Sequence, residues 1–203
     1  MANVQLPGFI PVSVGGNTVE LVRMRVLDNN TTAIFKGDAL DAQATGDVIV
    51  TATADAAIHS VQWGGASFQD ATTGFRVERT FLPAATRYTD GTALNQASAS
   101  YVYGVEDLAA VRFKASVDGA IAVTGLGINY KMVLGAGSTS NGLSGHELSA
   151  TTPAVTATFP WRLHEPVLGD PKSDPTLADA WFICSANAVR RNPSLEVGGS
   201  LGT

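Results

Sequence analysis

Apolar and polar positions alternate along most of this chain, with the spacing of strands rather than helices. Over residues 20–26, Val22, Met24 and Val26 fall on one face and Arg23 and Arg25 on the other, which is the period of two of a half-buried strand. Asp28, Asn29 and Asn30 follow with turn chemistry. Ala33, Ile34 and Phe35 make a short apolar strand closed by Lys36, Gly37 and Asp38. Residues 48–53 are rich in β-branched side chains, and residues 58–63 form another candidate that Gly64 and Gly65 are expected to end. The clearest pattern is at 111–123, where Val111, Phe113, Ala115 and Val117 share one face and Arg112, Lys114 and Ser116 the other. Asp118-Gly119 then predicts a two-residue type I′ turn and a hairpin with residues 120–123.

Residues 129–134, 152–159, 161–168 and 180–185 add strand candidates, with Pro160 and Pro166 at edges or bends. Residues 135–142 read as a flexible polar loop and 170–175 as a rigid one. Helices are scarce: residues 104–110 and 175–180 could each make a single turn, the second capped by Ser173 or Asp174. About eight to ten short strands between turns, with no repeat and no central linker, predict a mainly β fold, a single antiparallel β-sandwich or β-barrel with extended termini. The expected organisation is an N-terminal arm over 1–16, a sandwich or barrel domain over 17–189, and an irregular C-terminal tail over 190–203.

Composition narrows the class. Only 15% of residues are charged, against the usual quarter, while glycine (21), alanine (29), threonine (20) and valine (20) are abundant. That favours a compact β-rich body over disorder. Thirteen positive residues face 18 negative ones, for a net charge of −5. No clustered cations are available for a nucleic-acid backbone, so no nucleic-acid partner is expected. Pro7 and Pro11 break the first sixteen residues, which lack a basic start, so no secretory signal is expected. No apolar window approaches a membrane span. Cys184 is the only cysteine, which excludes an intrachain disulfide, and it reads as a buried apolar residue.

Each catalytic pattern meets an obstacle. Gly135, Gly137 and Gly142 lack the lysine and the following helix that a phosphate loop needs. His59, His146 and His164 stand far apart in sequence. His146 with Glu147 could offer two metal ligands, but no His/Cys cluster completes four, so no metal and no cofactor is expected. Glu106 and Asp107 are adjacent, and adjacent strand residues face opposite ways. Ser144, in Gly142-Leu143-Ser144-Gly145-His146, has the wrong glycine spacing for a nucleophile elbow. A cupin-like metal enzyme is the reading these residues leave weakest. The aromatics Trp63, Phe68, Phe75, Phe81, Tyr88, Tyr101 and Tyr103, together with Trp161, read first as core fillers; exposed rings on a sheet could instead stack on sugars, which keeps a carbohydrate-binding β-sandwich, such as a tail-associated adhesin, as an alternative.

Several phrases together resemble a family. They are residues 16–26, with Gly-Asn-Thr-Val-Glu-Leu-Val-Arg-Met-Arg-Val; residues 32–40, with Ala33-Ile34-Phe35-Lys36-Gly37-Asp38; residues 103–107; residues 112–115; and the Gly/Ser/Thr-rich stretch 135–148, ending Ser144-Gly145-His146-Glu147-Leu148. In this order they resemble the head decoration (cement) proteins of tailed bacteriophages, over residues 10–186. The resemblance implies a non-enzymatic virion protein, made in the host cytoplasm and bound to the outer surface of the capsid. There it would stabilise contacts between copies of the major capsid protein. It also implies a homo-oligomer, a trimer by preference or a dimer. Leu6, Phe9 and Ile10, apolar at a chain end, and Arg190 and Arg191 are the candidate capsid contacts. The plainer alternatives are that the apolar residues cover the bottom of the barrel and that the arginines are ordinary solvated charge.

Overall fold

The computed structural model describes residues 8–12, 18–27, 30–54, 56–84, 99–106, 108, 110–151, 153–155, 159–168, 174, 176–177 and 180–186. Nearly all of its regular structure is antiparallel strand. In chain order these are β1 (Ile10–Val12), β2 (Val22–Arg25), β3 (Ala39–Ala42), β4 (Val48–Val50), β5 (Ser60–Gln69), β6 (Arg76–Arg79), β7 (Tyr101–Val105) and β8 (Arg112–Ser116). A single 3-10 turn at Val123–Gly125 follows, then β9 (Asn129–Tyr130), β10 (Met132–Gly135), β11 (Gly145–Leu148), β12 (Trp161–Pro166) and β13 (Trp181–Ala186).

The strands form one sheet in the order β1-β8-β13-β12-β9 and a second in the order β2-β7-β5-β3-β4, with β6 paired to the far half of β5. A separate hairpin joins β10 to β11. The sheets do not close into a barrel, so of the two expected architectures the sandwich is the one formed.

The main core lies between the sheets. Phe113, Ala115, Trp161, Leu163, Phe182 and Cys184 come from the first, and Ala39, Val61 and Val105 from the second. Strand alternation explains why the second sheet is buried twice. Ala39 faces the main core, while its neighbour Leu40 faces a second cluster with Met24, Val26, Ile34, Phe68, Leu82 and Val102.

Three local expectations change. Residues 111–117 do form a strand, but it makes no hairpin with 120–123. Both edges of β8 are taken, by β1 and by β13. The Asp118 amide donates to Leu148 O at 3.0 Å, and its carboxylate accepts the Ala150 N–H at 2.6 Å. The chain is therefore drawn toward β11 and then into the 3-10 turn. Gly64 and Gly65 do not end a strand; they lie inside β5, where pairing with β7 slips between Gln62 and Gly65 in a bulge. The stretch 135–142 is not a loose loop: Ser138 N donates to Leu143 O and Gly142 N to Ser138 O, both at 2.8 Å, closing the β10–β11 connection. Of residues 152–159, Ala154 bridges Asn129, and no named strand forms among those described.

Candidate functional site

The N-terminal segment is part of the body. β1 pairs with β8, with Ile10 opposite Lys114, Pro11 opposite Phe113 and Val12 opposite Arg112. A proline on this edge strand costs no ladder bond to a neighbour. Phe9 is fully buried and its ring stacks on Trp161 at 4.0 Å. Of the two readings of Phe9, capsid contact or cover for the core, its burial corrects the first and fits the second: it fills an apolar slot whose other wall is Phe113, edge-on to Trp161 at 5.3 Å. Ile10 is half-buried within the sheet, so residues 10–12 belong to the sandwich and not to a free arm. Leu6, Arg190 and Arg191 lie outside the described residues.

Beneath this segment the fold assembles a polar cluster from two distant stretches. The turn at Phe35–Asp38 sets the Asp38 carboxylate to accept the Phe35 N–H at 2.7 Å. A parallel bridge between Lys36 and Leu143 brings the 142–148 stretch alongside. Ser144 and His146 then meet Asp38, all three buried. His146 Nε2 stands 3.7 Å from Asp38 Oδ1, and its Nδ1 accepts the Ala39 N–H at 3.3 Å. Ser144 hydrogen-bonds the Asp38 carboxylate, and its Oγ accepts the His146 N–H at 3.0 Å. Gly8 closes the top, because a Cβ there would sit 2.6 Å from the Ser144 Cβ and 2.5 Å from Gly37 O.

Serine, histidine and aspartate in one place invite comparison with a hydrolytic triad. The geometry is different. A triad needs one ring nitrogen on the carboxylate and the other on the hydroxyl. Here the second nitrogen is held by a backbone N–H, the hydroxyl is directed to the carboxylate, and Ser144 has no solvent exposure. Burial raises the Asp38 pKa and lowers that of His146, disfavouring charge on both. The cluster ties the 35–38 turn to β11. Sequence reasoning weighed Ser144 and His146 singly and passed over Asp38; a buried-sounding aspartate between Gly37 and Ala39 was the only signal of it.

The other candidates separate. Glu147 accepts from Ser116 Oγ at 3.1 Å while His146 points the opposite way, so the pair does not converge as metal ligands. Among the described residues, no group of three His, Cys, Asp or Glu side chains is placed to hold a metal. His59 Nε2 lies 3.4 Å from Glu106, and His164 Nε2 lies 2.8 Å from Ser185 Oγ. Asp107 is outside the described residues.

The tryptophans are poor sugar platforms: Trp161 is fully buried, Trp181 is nearly so under Lys114, and Trp63 is half-covered by Lys36 at 4.2 Å. The exposed side chains of note sit on the second sheet. Phe75 is 74% exposed beside the β5–β6 turn. On β7, Tyr101 and Tyr103 fall on the same side as Val105 by alternation. Val105 enters the core, whereas the tyrosines are half-exposed. Tyr101 lies under both Arg23 (4.7 Å) and Arg76 (5.2 Å), and Arg76 is pinned by Ser67 Oγ and Ala99 O. Next to it, Gly64, Ala66, Glu78, Arg79, Thr80 and Tyr103 line a cleft of about 320 Å³.

Comparison with family models, curated proteins and solved structures returns no match to this chain.

Proposed function

We propose that this chain is a non-enzymatic virion structural protein that binds the outer surface of a tailed-phage capsid and stabilises contacts between major capsid subunits. The observation that carries the reading is the joining of the two most distinctive phrases of the resemblance. Residues 33–38 and 142–148 meet through the Lys36–Leu143 bridge, the Ser144 N to Lys36 O bond at 2.9 Å and the Asp38–His146 contact. The polar side chains of Asp38, Ser144 and His146 are used in tying one segment to the other. Such a tie stiffens the body, and stiffness is what a clamp between subunits needs. The buried stack of Phe9 on Trp161 adds to it by fixing the N-terminal segment to the sandwich.

In this reading the partner is the major capsid protein, and the protein acts as a homo-oligomer, a trimer at local threefold positions or a dimer at twofolds. With Phe9 in the core, the candidate capsid contacts in this reading are Leu6, Ile10, Arg190 and Arg191. The experiment is to purify virions and measure the copy number of this chain against the major capsid protein. A stoichiometric ratio is expected; absence from the particle, or a handful of copies, would sink the proposal.

A further inference from the structure

Strand alternation sorts the first sheet into two faces. Phe113, Leu163 and Cys184 point into the core, so Arg112 and Lys114 on β8, Arg162 on β12, and Ile183 and Ser185 on β13 point away from it. The register sets these outward residues side by side. Ile10, Lys114 and Ile183 line up across β1, β8 and β13; Val12 stands opposite Arg112, and Arg162 opposite Ser185. The irregularity between Leu163 and Glu165 leaves His164 on the same face, where its Nε2 meets Ser185 Oγ at 2.8 Å. Ile10, a capsid-contact candidate from the sequence, therefore shares one outer face with three cations.

This face has an apolar stripe and a cationic border. Ile10, Val12 and Ile183 are half-buried, while Arg112 and Arg162 are exposed. Lys114 lies between Ile10 and Ile183, with its ammonium over Trp181 at 4.4 Å. Two carboxylates answer the three cations: Glu165, 3.9 Å from Arg112, and Glu147, which accepts from Ser116 at the far end of β8. The face is thus net positive on a chain whose net charge is −5. Burial lowers the His164 pKa, and Arg112 and Arg162 lower it further against the pull of Glu165, which marks a positive field at that point.

An apolar stripe bordered by arginines suits a protein–protein contact, in which guanidinium groups take carboxylates in bidentate pairs. A long polyanion would also meet the negative charge of the rest of the chain, whereas a compact acidic patch meets this face alone. We propose that the outer face of the first sheet docks an acidic surface of a protein partner, with Ile10, Val12 and Ile183 at the centre of the contact and Arg112 and Arg162 pairing its carboxylates. This deepens the capsid reading and rests on it: the partner is the major capsid protein, and this face, not the aromatic face of the second sheet, turns toward the shell.

The test mixes the full-length chain with purified capsids that lack it and measures the bound fraction by co-sedimentation. The parent chain is expected to bind, and more weakly as sodium chloride rises from about 0.05 to about 0.3 M. Arg112→Glu and Arg162→Glu should each bind at least about tenfold more weakly, and the milder Arg162→Gln about threefold more weakly. Arg23→Glu, on the second sheet, should stay within about twofold of the parent. Thermal midpoints check that the variants are folded, as exposed positions allow. Binding by the parent and equally by both reversed variants would overturn this inference and leave the capsid reading standing. An equal loss in Arg23→Glu would do the same, since it would mean charge attraction without a docking face. Retained capsid binding with lost self-association in the reversed variants would give the face to a second copy of this chain and overturn the proposal. No binding by the parent chain would overturn both this inference and the capsid reading.

Discussion

Phe9 lies flat against Trp161, with ring centroids 4.0 Å apart and planes 14° from parallel, and neither ring reaches solvent. The stack joins the start of the chain to a strand near its end. Removing the Phe9 ring leaves a void that Trp161 and Phe113 cannot fill without moving. Phe9→Ala should cost about 3–5 kcal/mol, whereas Ile10→Ala, at a half-buried edge position, should cost about 1 kcal/mol. Urea unfolding of the two variants checks this. Equal, small losses would mean that the N-terminal segment contributes little to the folded body.

Stability should fall on mild acidification. Burial lowers the His146 pKa below the ordinary 6.5, so the unfolded chain takes up a proton that the folded ring refuses. The stability supplied by the neutral ring is complete above that unfolded value. It is lost as the pH falls below about 6.5, at up to about 1.4 kcal/mol per unit. His59 and His164 are also lowered by burial and act in the same direction. Asp38 is raised by burial and acts in the opposite sense, its contribution returning as the pH falls through its raised value toward 3.8. Thermal midpoints should drop between pH 7.5 and 5.5. His146→Asn, whose amide oxygen can still accept the Ala39 N–H, should flatten that drop; an identical drop in the variant would remove His146 as its source.

The bulge glycine should be irreplaceable where a turn glycine is not. Gly65 has φ +105 and a backbone oxygen 2.8 Å from where a Cβ would go. Gly74, at φ +72 in the β5–β6 turn, has nothing within 4 Å. Gly65→Ala should therefore lose about 2–3 kcal/mol and Gly74→Ala only about 1 kcal/mol. Chemical denaturation of both variants measures the difference, and the reverse order would contradict the assigned register of β5.

Cys184 should be inert in the folded protein. It is completely buried, and burial pushes its thiol pKa far up, so almost no thiolate is present near neutrality. An aromatic disulfide reagent should label it only after denaturant is added. Rapid labelling of the native protein would show that the β8–β13–β12 region opens readily.

Much of the strand content was legible because it depends on short-range alternation. Val22, Met24 and Val26 versus Arg23 and Arg25, and Phe113 and Ala115 versus Arg112 and Lys114, fall on the inner and outer faces that their spacing implies. The Asp118-Gly119 signal failed because turn propensity is a local preference, and the long-range bonds to Leu148 and Ala150 override it. Gly64-Gly65 misled for a related reason: a glycine pair permits a bulge as readily as a stop. The Asp38–Ser144–His146 cluster was invisible as a unit because its members come from segments that only strand pairing brings together.

The sequence by itself determined that this is an antiparallel β body of low charge with one buried thiol, since those properties follow from residue periods and counts. The tertiary structure alone decided that the sandwich stays open rather than closing to a barrel, that Phe9 is core, that Ser144 and His146 meet Asp38, and that Gly64 and Gly65 sit in a bulge of β5 beside Tyr103. Those outcomes rest on which edges pair and in what register, and pairing between distant segments is set by the mutual burial of side chains that no local pattern records.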